Sequence, residues 1–194
     1  MKRPSRTDLA RHEAAHAIVA WLDGIPLEVC AIRTRPVTTD QKRFVSLGFT
    51  RVTDAEDGIS SDILFSQDEL TDETRRYLVR HLRFAVAGAV AEQSAGTTSQ
   101  ESMGDDRLNA MLVAGRLSGG RIVGDRVTGK MEIPDGRKPE VFKIISEAEE
   151  QVRKLLSDNA GAWDGLARRL LFDGSLTGEQ VDQFLTGALG KRDA

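Results

Sequence analysis

Two of the chain's three histidines stand four residues apart in His12-Glu13-Ala14-Ala15-His16, an H-E-x-x-H motif. Residues four apart on a helix lie one turn apart on the same face, so both imidazoles can reach one cation. Zinc accepts neutral imidazole nitrogens at about 2.0–2.1 Å. Such an ion lowers the pKa of a water toward neutrality and polarises a carbonyl. Glu13, beside the first ligand, is placed to take that water's proton as general base and pass it to a leaving amine. The spacing therefore predicts zinc-dependent hydrolysis. The competing reading is a histidine pair on the polar stripe of a surface helix. The small residues Ala14, Ala15 and Ala17 oppose it, because they imply close packing around the motif.

A catalytic zinc needs a third protein ligand and an open position. His81, the remaining histidine, lies between Arg80 and Arg83 and reads as a solvated or core-edge residue. Asp105 and Asp106 stand at the expected start of a helix, where they could ligate a metal or simply complement the helix dipole. Spacing leaves that choice open. Cys30 is the only cysteine, which excludes a cysteine-rich zinc site and an internal disulfide and fits a reducing, cytoplasmic setting.

The motif needs a helix to carry it, and the first helix is well signalled. Ser5 with Asp8 three residues on resembles a capping box, with Thr7 a rival cap. A largely apolar run follows to Leu22, and Gly24 and Pro26 stop it. Alternation over 27–34 and 43–53 predicts two short neighbouring strands. Residues 54–69 read as an exposed loop. A second helix is expected to begin after Thr71 and run to about Ser94, with apolar residues at three- and four-residue steps. A third, capped by Ser102 or Asp105, ends at Gly119-Gly120. A short strand at 121–123 precedes a stretch rich in glycine and charge. Helices over 141–156, 162–171 and after Thr177 complete the chain. Gly124 to Lys130 has the glycine–lysine spacing of a phosphate-binding loop, but Met131 replaces the Ser or Thr that magnesium requires, so it reads as a turn.

Lys and Arg number 27 against 30 Asp and Glu, and aromatic residues make up only 5%. That composition predicts no nucleic-acid partner, since neither phosphate attraction nor base stacking is provided. No run approaches the roughly 18 apolar residues of a membrane span, so no membrane partner is expected. The fold class is α+β, mainly α-helical, with a small β-sheet packed on the H-E-x-x-H helix and a helical C-terminal part. Residues 1–136 are expected to form a zinc peptidase-like core. Residues 137–194 are expected to form a helical subdomain packed as one unit with it.

These motifs, in their order, resemble the peptidase domain of the FtsH-type ATP-dependent zinc metalloproteases over most of the chain. His12-Glu13-Ala14-Ala15-His16-Ala17 is similar to that family's H-E-A-G-H-A helix, and Leu47-Gly48-Phe49-Thr50 to its L-G-Y-T strand. Ala87-Gly88-Ala89-Val90-Ala91-Glu92 follows its G-G-R-A-A-E helix, and Gly104-Asp105-Asp106-Arg107-Leu108 its S-N-D-L segment. The chain departs from the family at Ala15, where a glycine is usual, and at Ala89-Val90, where the arginine is missing.

The resemblance implies His12, His16 and Asp106 as zinc ligands, with Asp105 in the asparagine position. It implies Leu47, Gly48 and Phe49 as the strand against which an extended substrate pairs, and hexameric assembly. Glu92 is a rival third ligand, a residue orienting a histidine, or a plain helix-face carboxylate. With no ATPase domain or membrane segment expected, the activity implied is ATP-independent hydrolysis of flexible or unfolded chains, or work beside a separate ATPase partner. The alternative is a non-catalytic interaction module that keeps the fold.

Overall fold

The structure, a computed structural model, describes residues 5–39, 42–53, 61–66, 68–96, 104–123 and 130–191. In chain order the first half runs α1 (Arg6–Leu22), β1 (Leu27–Thr39), β2 (Lys42–Val52), α2 (Ser61–Phe65), α3 (Asp72–Ser94) and α4 (Gly104–Leu117). The second half runs β3 (Arg121–Val123), β4 (Lys130–Glu132), α5 (Lys138–Asp158), α6 (Ala160–Asp173), β5 (Ser175–Thr177) and α7 (Gly178–Leu189).

Helix α1 begins where the sequence places its cap. The Ser5 hydroxyl accepts from the Asp8 amide and the Asp8 carboxylate accepts from the Ser5 amide, closing a capping box. Thr7 lies inside the helix. Every residue from Leu9 to Trp21 except Arg11 is buried, so this helix is packed on all sides. Its alanines permit that closeness. The sheet lies against it on one flank and α3 and α6 on others, while α5 covers α3 and α4.

Strands β1 and β2 pair antiparallel, and β1 runs past the expected 27–34 to Thr39. Strand β5, which the sequence does not signal, pairs with the other side of β1. The order is β2-β1-β5, so β2 is an outer strand. One buried cluster joins Ile18, Leu78 and Val113 to Val152, Leu166 and Leu185. It thus draws on the residues before and after 137 alike. The protein is a mainly helical α+β fold with a small antiparallel sheet.

Two expectations are corrected. The stretch over 54–69 contains α2, because Ile63, Leu64 and Phe65 supply an apolar edge and Leu64 joins the core. Residues 54–60 lie outside the described residues. β3 finds a partner in β4, which the charge-rich sequence had hidden. The glycine-rich stretch 124–129 lies outside the described residues. Lys130 opens a strand rather than a helix, so the helix that a phosphate-binding loop leads into does not begin there. No described helix is long and apolar enough to cross a membrane.

Candidate metal centre

His12 and His16 project from α1 toward α3 and α4. The two Nε2 atoms are 3.2 Å apart. Asp106, in the first turn of α4, places Oδ2 3.2 Å from His12 Nε2 and 3.1 Å from His16 Nε2. The three atoms form a nearly equilateral triangle. Ligands about 2.0–2.1 Å from a tetrahedral cation stand about 3.3–3.4 Å apart, so the triangle has close to the edge such an ion requires.

The other ring nitrogens define what this triangle can hold. His12 Nδ1 lies 3.0 Å from Glu92 Oε1, and His16 Nδ1 lies 2.7 Å from the carbonyl oxygen of Phe84. A carbonyl only accepts, and so does an ionised carboxylate, so both Nδ1 atoms donate. In the neutral rings each Nε2 is then a bare lone pair. Two such lone pairs and a carboxylate oxygen converge on one point, an arrangement that only a cation or a proton relieves. Partners that hold the outer nitrogen of a ligating histidine are a regular feature of metal sites.

Space for the ion comes from α3. Phe84, Gly88 and Glu92 recur every fourth residue and so form one stripe facing α1. A Cβ at Gly88 would fall 2.6 Å from His16 Nε2 and closer still to His12 Nε2. The bare glycine therefore leaves open the place beside the converging atoms. His12 and His16 are buried, whereas the Asp106 side chain is 25% exposed and marks the open side. His12, His16 and Asp106 together form a group that could bind a metal ion.

The same acceptors raise the proton affinity of His12. Burial alone would lower the His12 pKa, but the hydrogen bonds to Asp106 and Glu92 and the nearby Glu13 carry it up to about 10. Burial would raise the Asp106 carboxyl, yet His16 and His12 hold it below the usual carboxylate range.

No protein-family model matches the chain.

Glu13, about 100° around α1 from His12, leaves an adjacent flank of the helix toward the sheet. Its Oε2 accepts from the Thr50 hydroxyl at 2.9 Å, and a Cβ on Gly48 would strike Oε1 at 2.6 Å. Burial pushes the Glu13 carboxyl up, against the pull of His12 and His16. Thus β2 holds the carboxylate and α3 holds the imidazoles on neighbouring flanks of α1.

Gly48 and Phe49 lie on outer strand β2, and so does the backbone of Leu47, whose side chain is outside the described residues. Asp105 is in α4, its side chain likewise outside. Glu92 sits behind His12 rather than beside Asp106. His81 is not solvated: it is 1% exposed, its ring centroid 4.1 Å from that of Tyr77, because it points into the core from α3. Sequence reading missed Thr50 and the Phe84 carbonyl as partners. A carbonyl leaves no trace in residue type, but the four-residue recurrence of Phe84, Gly88 and Glu92 is a legible signal.

Proposed function

We propose that the protein is a zinc-dependent, ATP-independent peptidase resembling the FtsH-type peptidase domain, acting on flexible or unfolded chains. One observation carries the reading: three converging acceptors with both outer imidazole nitrogens already engaged. Nitrogen and oxygen donors in a compact, partly open triangle suit zinc among common biological cations. His12, His16 and Asp106 would hold it. When bound, the ion polarises the scissile carbonyl and makes water acidic enough to react near neutral pH. Glu13 takes the proton from the attacking water and returns it to the leaving amine. Burial suits Glu13 to this, since a raised pKa makes it a stronger base. An extended substrate would add to the outer strand along Leu47, Gly48 and Phe49 by backbone pairing, which brings its carbonyls past Glu13. Hexameric assembly belongs to the same proposal by resemblance, as does a separate ATPase partner, and the lone cysteine adds a cytoplasmic location to it.

The test is metal analysis together with turnover of unstructured peptides by wild type and Glu13→Gln. The expected result is one zinc per chain in both proteins and at least a 100-fold drop in kcat for the variant, about what removing a general base costs. Absence of zinc after repletion would defeat the proposal at its first step. Zinc without Glu13-dependent hydrolysis would favour the interaction module.

A further inference from the structure

Thr50 occupies a place in β2 directly opposite Cys30 of β1 and two residues from Gly48, so Thr50 and Gly48 present to the same face of the sheet. That face meets α1. Thr50 Oγ1 has three acceptors in reach: Glu13 Oε2 at 2.9 Å, the Glu13 carbonyl oxygen at 3.1 Å and Cys30 Sγ at 3.4 Å. One hydroxyl hydrogen must choose among them. The ionised carboxylate is both the nearest and the strongest acceptor. The Glu13 carbonyl lies inside α1, where the helix ladder already supplies a donor, and the thiol sulfur is a weak acceptor.

Gly48 limits the same side chain from the other oxygen. The bare glycine leaves room for Oε1, while Oε2 accepts from the threonine hydroxyl, so the room for the carboxylate and its donor come from one strand. We infer that Thr50 is a positioning residue that sets the rotamer of the Glu13 carboxylate. The pairing strand and the base's support are then the same element. This role rests on the peptidase reading for its catalytic meaning, but the orientation of Glu13 is a structural matter that stands by itself.

Thr50→Val removes the hydroxyl while keeping the β-branched shape that the strand favours, and Thr50→Ser restores the hydroxyl without the methyl. In zinc-loaded protein the valine variant is expected to lose about 10- to 100-fold in kcat with KM within about twofold, as for a group misplaced by a fraction of its reach. The serine variant is expected within about threefold of wild type. Crystal structures of the three proteins give a readout independent of turnover: Glu13 should leave its place in the valine variant and keep it in the serine variant. An unmoved Glu13 in Thr50→Val, or a kcat for that variant equal to that of a wild type that turns over, would overturn the inference. If wild type has no turnover, the peptidase proposal fails, and the position of Glu13 in the valine variant still decides the role of Thr50.

Discussion

A methyl group at position 88 would test the metal centre more directly than loss of a ligand. Glycine-to-alanine in a helix interior ordinarily stabilises by about 0.5–1 kcal/mol. Here the new Cβ would press on both ligating rings, which cannot swing aside without breaking their Nδ1 hydrogen bonds to Glu92 and Phe84. Gly88→Ala is therefore expected to weaken zinc binding by at least about 10- to 100-fold, the loss typical of disturbed outer partners. Competition against a chromophoric chelator measures it, and unchanged affinity would mean that the ion does not sit between the imidazoles. Legibility at this scale followed sequence distance. His12, Glu13 and His16 were readable because one helical turn brings the pair together. Asp106 lies 90 residues beyond His16, and spacing alone could not choose between it and Asp105. The Thr50 hydroxyl and the Phe84 carbonyl were unreadable, since each acts only after the sheet and α3 have docked on α1.

The elements were more readable where local chemistry marks their ends. The Ser5–Asp8 capping box is one such mark. Ser5→Ala is expected to cost about 1 kcal/mol, which for a chain of this size lowers Tm by about 2–4 °C. Zinc stoichiometry should stay at one, because His12 stands seven residues beyond the cap, nearly two turns inside the helix. A variant that lost zinc as well would show that the ligands depend on the first turn. Thr71 likewise caps α3 by accepting from the Thr74 amide, as its position suggested. The misses share a cause. β3, as short, shows an apolar Ile122-Val123 pair, whereas β4 and β5 are three-residue strands with mostly polar or charged neighbours, and both exist only through partners supplied from elsewhere in the chain. α2 lies inside a polar stretch, and the burial of Leu64 with Ile63 and Phe65 packed against the same core accounts for it.

At the scale of the whole molecule, proton and metal compete for one place, and stability should depend on which is there. His12 has its pKa raised by its partners, so its contribution to the metal-free fold is fully present below its unfolded value of about 6.5. That contribution is lost as pH rises through about 10. Asp106, held low, contributes above an unfolded value of about 3.9 and loses that contribution in more acid solution. Between these limits the metal-free protein carries a proton on His12, and metal uptake must expel it. Zinc affinity should then climb by about tenfold per pH unit from pH 6.5 to 8.5 for this proton alone, since a tenfold change in proton activity shifts a one-proton exchange tenfold. Calorimetry in buffers of different ionisation enthalpy should find about one proton released per zinc at pH 7.5. Bound zinc at 100 times its Kd adds about 2.7 kcal/mol, or about 5–10 °C in Tm for a chain of this length. Because the metal-free fold weakens toward alkaline pH while the loaded one gains affinity, the gap in Tm between zinc-loaded and chelated protein should widen from pH 6.5 to 9. A gap that stays constant, with no proton released, would mean that His12 is not a ligand and that the triangle is closed by a proton alone.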